Sequence, residues 1–420
     1  MLPGGCDIHR WAGPGGLPPR VGRQSVASPF ATYPEGVSAV KASFDASDLT
    51  AAVAWTAKFA ASNPAVPAYT GILIDAMQGD RVVLTCMDQT TTGRRTVGGN
   101  VATPGKCLVT ARLFAELLAK LPQSGTVDLA LESDQLSVVA GRSRFRLRQM
   151  DVEDFPAGHR QAADTADIQV PGPAFAGVVS RVAPASSTEP SRPALTGLHF
   201  ELADGRVTLA ATDSYRLAAE SFPVDSDASD MTMLVPAKAA ALAARSAEQA
   251  STATLSFEPA SYRVVAGDME VSGALLEAQF PSWRALIPST HNTSFVVEVA
   301  AMREVVDRFT VLAAASKAMI PVKLRVVAGE PVEVSADHPD LGDGVDHVTA
   351  DVTGESVVIA FNPVLLAQTL DSMPTSRARF DLVDGLKPAL VMPAADTIDG
   401  VARRLWLVMT VRPGRTFAAS

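Results

Sequence analysis

The sequence predicts an α+β chain of three tandem homologous domains, each combining helices with antiparallel strands. The first indication is a strand-like segment that recurs every 125 residues, as "GDRVVLTCMD" from Gly79, "DGRVTLAATD" from Asp204 and "GEPVEVSADH" from Gly329. Each copy reads as a turn followed by alternating apolar and polar residues, the pattern of a half-buried strand. Solenoid repeats have periods of roughly 20–50 residues. The longer period here indicates that whole domains are repeated.

Helix patterns recur with nearly the same period and complete each repeat. One apolar-periodic stretch opens every repeat, and another follows a short strand near its middle. The opening helices are predicted at 46–61, 173–182 and 298–318, and the second helices after Leu108, Leu234 and Ile359. Each unit therefore reads as helix, strands, helix, strands.

These patterns divide the chain into domains at 38–160, 165–288 and 290–413. Gly141, Gly267 and Gly385 are interpreted as equivalent turn glycines of the three domains. Residues 1–37 are rich in Gly and Pro and have no apolar core stretch, so a disordered tail is predicted there. The tail lacks the apolar segment of a signal peptide.

Composition excludes several classes of protein. The 420 residues are 47% apolar and 19% charged, with a net charge of −9, which is typical of a globular chain rather than a general nucleic-acid binder. Cys6, Cys86 and Cys107 lie far apart in sequence, which favours neither a disulfide framework nor a zinc site and fits a reducing cytoplasm. The sequence has no run of about 18 apolar residues, so no membrane association is expected.

The polar cluster after one predicted strand is a candidate catalytic site. Asp213, Tyr215 and His199 are conceivable acid–base groups, and Ser214 is a conceivable nucleophile. The sequence has no GxSxG elbow, no phosphate-binding loop and no HExxH motif. Asp-Ser after a strand is more typical of a turn, because both side chains bond to nearby backbone N–H groups. We therefore expect no catalytic residues, no metal and no cofactor.

Several separated motifs together resemble one family. The chain resembles the bacterial DNA polymerase III beta subunit, the sliding clamp, from about residue 38 to 413. The matching segments are "LAATDSYRLA" (209–218), "VVAGRSRFRLRQMDVEDFP" (138–156), "EAQFPSWRALIP" (277–288) and "LWLVMTVRP" (405–413). The resemblance implies a ring-shaped, head-to-tail homodimer with helices lining a central hole and antiparallel sheets outside.

The same resemblance implies the partners. Duplex DNA passes through the hole without sequence readout, and the clamp loader and DNA polymerases dock through short peptide motifs. The protein is then a non-catalytic processivity factor of the cytoplasm, associated with the nucleoid. An alternative is a clamp paralogue with an altered partner set. Two departures keep it open: Thr410 stands where the family usually has proline, and Tyr215 stands where it usually has histidine.

Charge on the predicted helices supports a DNA-facing wall. The helices carry nine basic and six acidic residues, a net charge of +3, against −12 for the rest of the chain. A positive wall binds phosphates without sequence preference. The alternative is a solvated face with surface ion pairs. The predicted DNA-facing residues are Lys58, Arg112, Lys120, Arg181, Lys238, Arg245, Arg303, Arg308 and Lys317.

The resemblance also implies a subunit joint between the first and third domains. Phe145 and Leu147 match its first-domain side, and Val311 and Leu312 match its third-domain side. Exposed strand edges offer unpaired backbone groups to a partner strand. The alternative is a core strand with one solvated face. Arginines alternate with the apolar pair at Arg142, Arg144, Arg146 and Arg148.

A third predicted site is an apolar groove that receives partner peptides between the second and third domains. Methionine suits such a groove because it adapts to different side chains. The alternative is that these residues are core residues of two adjacent domains. The groove residues implied by the resemblance are Thr212, Ser214, Tyr215, Arg216, Leu217, Pro281, Leu286, Pro388, Leu407, Val408, Met409 and Arg412.

Overall fold

The structure is a computed structural model that repeats one order of elements three times. It describes residues 40–76, 80–156, 166–225, 230–315, 319–395, 397–398, 401–402 and 404–411. The tail predicted at 1–37 lies outside these residues.

The first helix of the first repeat is capped at its N-terminus. The carboxylate of Asp45 accepts hydrogen bonds from the backbone N–H groups of Ser47 and Asp48, which the first helical turn leaves unpaired. The predicted helix 46–61 ends earlier, at Thr56, because the chain tightens into a 3₁₀ turn at Ala57–Phe59. The elements are β1 (Lys41–Asp45), α1 (Ala46–Thr56), β2 (Gly71–Ala76), β3 (Arg81–Met87), β4 (Thr91–Gly98), β5 (Asn100–Thr103), β6 (Gly105–Thr110), α2 (Ala111–Leu118), β7 (Thr126–Glu132), β8 (Gln135–Ala140) and β9 (Ser143–Arg148).

The second repeat follows the same order. Its opening helix agrees with the predicted 173–182 to within one residue. Further 3₁₀ turns lie at Ala183–Ala185, Pro193–Thr196 and Trp283–Leu286. The elements are β10 (Ala166–Pro171), α3 (Gly172–Val182), β11 (Gly197–Ala203), β12 (Arg206–Thr212), β13 (Arg216–Pro223), β14 (Met231–Pro236), α4 (Ala237–Ala247), β15 (Thr252–Phe257), β16 (Ser261–Ala266) and β17 (Met269–Ala274).

The third repeat differs near its end, where an extra hairpin precedes the last strand. The helix predicted at 298–318 is described from Val299 to Ala315. The elements are β18 (Thr293–Glu298), α5 (Val299–Ala315), β19 (Val322–Val326), β20 (Val332–His338), β21 (Gly342–Val348), β22 (Ala350–Gly354), β23 (Val357–Phe361), α6 (Pro363–Asp371), β24 (Arg377–Leu382), β25 (Ala389–Pro393), β26 (Thr397–Ile398), β27 (Val401–Ala402) and β28 (Arg404–Val408).

One predicted equivalence is wrong. Gly141 and Gly267 lie in the turn before the last strand of their repeats, both with positive φ. Gly385 instead lies between β24 and β25, one hairpin earlier. The extra hairpin β26–β27 occupies the place of the equivalent turn, so the nearest glycine in the sequence belongs to another loop.

Every repeat builds two antiparallel sheets around a constant order of four strands, and β5 and β22 add an outer strand beside β1 and β18. One type is β1-β7-β8-β9, β10-β15-β16-β17 and β18-β24-β25-β28, and the other is β6-β2-β3-β4, β14-β11-β12-β13 and β23-β19-β20-β21. Sheets of neighbouring repeats join edge to edge, through β17 on β4 and through β28 on β13. The helices pack against these sheets. Within the described residues, the outer edges of β9 and β21 have no partner strand.

The apolar core runs through all three repeats between the helices and the sheets. Cys86 and Cys107 belong to it as free thiols, and burial raises the pKa of both. Its largest fully buried side chains include Phe114, Phe175, Phe295, Phe361 and Phe380.

Candidate functional site

The polar cluster between β12 and β13 forms a tight turn. The carboxylate of Asp213 accepts hydrogen bonds from the backbone N–H groups of Tyr215 and Arg216 at 2.8 and 2.9 Å. The Thr212 hydroxyl donates to the carbonyl of Arg216 at 2.6 Å. Ser214 adopts a left-handed backbone with φ of +79°. These polar groups are therefore occupied in holding the turn.

His199 lies on β11 in a packed position. Its ring stacks on Phe280 with centroids 4.9 Å apart, and burial lowers the pKa of the imidazole. Across the described ranges, no three His, Cys, Asp or Glu side chains come together as a group that could hold a metal ion. No helix in that part of the chain is long and apolar enough to cross a membrane.

We expect replacement of Ser214 by glycine to stabilise the protein by about 1 kcal/mol, because glycine adopts positive φ without the steric cost of a Cβ atom. Urea unfolding of both proteins measures the difference. Ser214→Ala is the matched control, since it removes the hydroxyl and keeps the Cβ, and it should give no gain. A glycine variant no more stable than the alanine variant would show that the turn carries no strain.

Arg216 links three elements around this turn. Its guanidinium donates to the Asp213 carboxylate, to the side-chain oxygen of Gln368 on α6 and to the carbonyl of Pro184 after α3. The side chain is partly buried, and its nitrogens are engaged within the chain. Arg216 thus fixes the turn both within the second repeat and against the third repeat.

Beneath the turn lies a small apolar cluster that spans the joint between β13 and β28. Leu217 lies directly opposite Leu407, and both pack with Trp283. Leu217, Leu407 and Val408 are only 1%, 2% and 0% exposed. Three of the predicted groove residues are therefore core residues, and they support the surface from below.

Above this cluster, four large apolar side chains form what we call the exposed rim: Tyr215, Leu286, Leu386 and Met409, which are 60%, 52%, 67% and 41% exposed. The backbone N–H of Met409 donates to the carbonyl of Tyr215 at 2.9 Å, and the hydroxyl of Thr410 donates to the carbonyl of Leu386 at 2.9 Å. Leu286 ends the turn whose Trp283 packs in the cluster below.

The other predicted groove residues are distributed around the rim. Thr212 is buried, Pro388 is half-buried, and Ser214 and Pro281 are exposed. Arg412 lies outside the described residues. Sequence reasoning missed Leu386, because a single leucine in a Gly-Leu-Lys loop has no periodic signal.

The predicted DNA-facing residues fall into two groups. Lys58, Lys120, Lys238 and Arg245 are exposed, and none forms an ion pair with any residue that the structure describes. Four arginines instead bind carboxylates, while Lys317 lies outside the described residues. The pairs are Arg112 with Glu116, Arg181 with Glu220, Arg303 with Asp307 and Asp371, and Arg308 with Glu304 and Asp346.

The residues predicted at the subunit joint also fall into two groups, exposed and buried. Phe145 and Val311 are 43% and 68% exposed, whereas Leu147 is buried and Leu312 packs against the core. Each predicted pair thus contributes one outward side chain. A hollow of about 520 Å³ adjoins Phe145 between α2 and β9. It is lined by Leu113, Glu116, Leu117, Ala119, Lys120, Phe145, Arg146 and Leu147.

The family is established by comparison with known proteins. Models of the DNA polymerase III beta subunit match over the N-terminal domain at 41–159, the central domain at 169–282 and the C-terminal domain at 284–400. The beta sliding clamp of Streptomyces coelicolor is 32% identical and aligns over 87% of this chain and 97% of its own length.

Solved structures have the same fold. The sliding clamp of Bacillus subtilis superposes with a TM-score of 0.82 at 23% identity, over 90% of this chain and all of the other. That of Pseudomonas aeruginosa, solved bound to griselimycin, gives 0.82 at 22% identity over 89% of this chain and all of the other. These matches confirm the three-domain α+β fold expected from the resemblance. The chain belongs to the DNA polymerase III beta subunit family, the beta sliding clamps.

Proposed function

We propose that two copies of this chain close head to tail into a ring around duplex DNA at the nucleoid, and that the clamp loader and DNA polymerases dock by short peptides on the exposed rim. Sliding-clamp function without intrinsic catalysis follows from membership of the family. The ring, the DNA-facing residues and the docking residues are the parts that we propose.

The proposal of a ring rests on one observation: the sheets of neighbouring repeats pair through the same two strands at both joints within the chain. At both internal joints, the last strand of one repeat, β17 or β28, pairs antiparallel with the fourth strand of the preceding repeat, β4 or β13. The same rule leaves β9 at one end of the chain and β21 at the other. Each copy brings one of each, so two identical head-to-tail joints close a ring of six repeats.

The hollow beside β9 fits this joint. At the joint of the second and third repeats, one small cleft is lined by Pro184, twelve residues after the start of α3, and by Gln368, five residues after the start of α6. Val311 on α5 occupies the position equivalent to Pro184, and Glu116 on α2 occupies the position equivalent to Gln368. The exposed Val311 of a second copy is therefore expected in the apolar hollow.

The ring is tested by topology. The protein is loaded with its cognate clamp loader onto a nicked circular plasmid and passed through a gel-filtration column. We expect it to stay with the circular DNA and to be lost when the plasmid is cut once, because a ring slides off a free end. Equal loss from circular and linear DNA would contradict encirclement.

Lys238 and Arg245 are two of the four proposed phosphate contacts that form no ion pair among the described residues, and they are the two that share a helix. They lie seven residues apart on α4 and therefore share one face of the helix. Non-specific binding to DNA weakens with salt in proportion to the number of phosphates contacted. The four arginines held by carboxylates are expected to contribute less.

Replacing both Lys238 and Arg245 by glutamine should weaken DNA binding and flatten its salt dependence by about 0.9 in log–log slope for each phosphate that is no longer neutralised. Fluorescence anisotropy of labelled duplex DNA across a salt series measures the slope. The control is the double variant Arg325→Gln/Glu330→Gln, which removes an exposed ion pair outside the predicted DNA-facing residues without changing net charge. If the salt dependence becomes flatter in the control but not in the Lys238/Arg245 variant, these two residues do not contact phosphates.

The exposed rim supports the docking proposal. Four large apolar side chains are exposed to solvent above the buried apolar cluster. A partner that covers them buries apolar surface without rearranging the protein. The Pseudomonas aeruginosa clamp was solved with bound griselimycin, which shows that a relative with this fold takes a ligand.

A clamp paralogue with altered partners is the second candidate, and one contact favours it. Thr410 replaces the proline usual in the family, and its hydroxyl binds the carbonyl of Leu386, a bond that proline cannot make. This bond ties the C-terminal segment to a loop that carries one residue of the exposed rim. We therefore expect such a paralogue to differ from the replicative clamp of the same cell in which partners it binds at the exposed rim.

A further inference from the structure

We infer that His199 and Glu201 on β11 are positioning residues for partner docking: they anchor the segment between the second and third repeats and so hold Leu286 in the exposed rim. This inference rests on the docking function proposed above. It gives a role to two polar side chains that do not belong to the rim and act on a bound peptide only through Leu286.

The connecting segment, residues 277–291, is fixed to the sheets by its backbone only at its two borders. The N–H of Leu276 donates to the carbonyl of Leu234 at 2.8 Å, and the N–H of Asn292 donates to the carbonyl of Leu382 at 2.9 Å. Between these points, the backbone-to-backbone hydrogen bonds among the described residues join the segment only to itself. Side chains therefore determine where the segment lies.

Two side chains of the connecting segment are held by one face of β11. His199 and Glu201 lie two residues apart on this strand and so share the face that points away from the core. The ring of Phe280 stacks on the imidazole of His199, with centroids 4.9 Å apart and planes at 5°. The guanidinium of Arg284 binds the carboxylate of Glu201 at 2.7 Å. That carboxylate also lies 3.8 Å from Nε2 of His199, so the two anchors adjoin.

These anchors continue into the buried cluster beneath the exposed rim. The guanidinium of Arg284 lies over the indole ring of Trp283, 4.3 Å from its centroid, and Trp283 belongs to the cluster. On the neighbouring strands, Ala210 lies opposite His199, and Ala219 lies opposite Ala210. Both alanines also belong to the cluster. The contacts on β11 and the contacts below the rim therefore form one continuous surface for the segment.

Leu286 depends on these contacts for its position. It ends the 3₁₀ turn Trp283–Leu286 and is 52% exposed, so its own side chain is not packed in the core. The packed residues lie on both sides of it, with Phe280 and Arg284 before it and Ile287 after it. A surface that is in place for only part of the time binds with an affinity reduced by that fraction. His199 and Glu201 thus raise the affinity of the rim by keeping Leu286 in place.

Charge reversal on β11 tests the role of Glu201 in the full-length protein. Glu201→Arg sets an arginine against Arg284. It should raise the dissociation constant of a labelled Gln- and Leu-containing peptide from the polymerase of the same cell about fivefold or more in fluorescence polarisation. The matched control is Asp351→Arg, which makes the same change in charge at an exposed ion pair with Arg377 on β22, at the far edge of the same sheet. The control should bind the peptide normally.

Two substitutions of His199 separate the ring stacking from other effects. His199→Ala removes the stacking on Phe280 and should weaken peptide binding about threefold or more, whereas His199→Phe keeps an aromatic ring there and should bind within about twofold of wild type. Amide hydrogen exchange read by mass spectrometry provides a measurement without peptide. Residues 277–288 should exchange faster in Glu201→Arg and His199→Ala than in wild type, and at the wild-type rate in His199→Phe.

A combined variant shows whether Glu201 acts through Leu286. Leu286→Ala alone should weaken peptide binding about fivefold or more. Because Glu201 only positions this side chain, adding Glu201→Arg to Leu286→Ala should weaken binding by less than about a further twofold. Additive losses, or unchanged affinity in Glu201→Arg alone, would overturn the positioning role and leave docking at the rim intact. A wild-type chain that binds no such peptide would overturn docking at the rim, and the positioning role with it.

Discussion

Replacing Glu220 by glutamine should lower the free energy of unfolding by about 3 kcal/mol, the lower end of the range for breaking a buried ion pair. Glu220 lies on β13 and is only 1% exposed. Arg181 of α3 donates two hydrogen bonds to its carboxylate, at 2.8 and 2.7 Å. Arg404, directly opposite on β28, donates a third at 2.8 Å.

The size of this effect follows from burial. The Glu220 carboxylate offers both of its oxygens to the two guanidiniums. A glutamine amide offers one neutral oxygen and places an NH2 donor where the second acceptor was, so at least one arginine N–H loses its partner. The arginines remain partly exposed, and this keeps the cost below that of a fully buried triad. Since the three groups come from α3, β13 and β28, their loss should loosen the joint between the second and third repeats.

Urea unfolding followed by circular dichroism measures the difference. The matched control is Glu189→Gln, which breaks an exposed ion pair with Arg192 three residues away. Both members of this pair are exposed to solvent, which screens their attraction, so the control should scarcely change stability. A Glu220→Gln loss no larger than that of the control would mean that the triad does not stabilise the joint.

The fold could be predicted from the sequence because its repeat is nearly regular. Strand alternation around Val82, Val207 and Val332 and the helices that follow indicate whole domains in tandem. The single misaligned glycine, Gly385, marks the place where an added hairpin disrupts the spacing. Local patterns do not show such an insertion, because each strand before and after it keeps a normal alternation.

The site was less predictable because its contacts join distant residues. A count of charges places Arg181 among the free DNA-facing groups. Its partner Glu220 lies 39 residues further along the chain, and Arg404, which binds the same carboxylate, lies 184 residues after Glu220. Sequence patterns likewise do not distinguish an apolar residue of the buried cluster from one of the exposed rim. Leu217 and Leu407 are buried only because β13 and β28 pair across the joint.

The second large effect is expected at the exposed rim: Met409→Glu should abolish binding of partner peptides and leave the ring intact. The side chain is 41% exposed, whereas the backbone N–H that holds this segment to Tyr215 is unaffected by the change. A carboxylate at the centre of an apolar contact must be desolvated without a partner, which is costly. The fold and the subunit edges do not use this side chain.

Fluorescence polarisation with a labelled Gln- and Leu-containing peptide from the polymerase of the same cell measures this loss. The wild-type affinity should be micromolar, because two or three buried apolar side chains supply a few kcal/mol before ordering costs. Met409→Ala should weaken it by about 1 kcal/mol or more. Val66→Glu, at a similarly exposed position in the first repeat, is the control and should bind normally. Unchanged affinity in Met409→Glu would place the docking surface away from the rim, since no peptide contacting Met409 could tolerate the added charge.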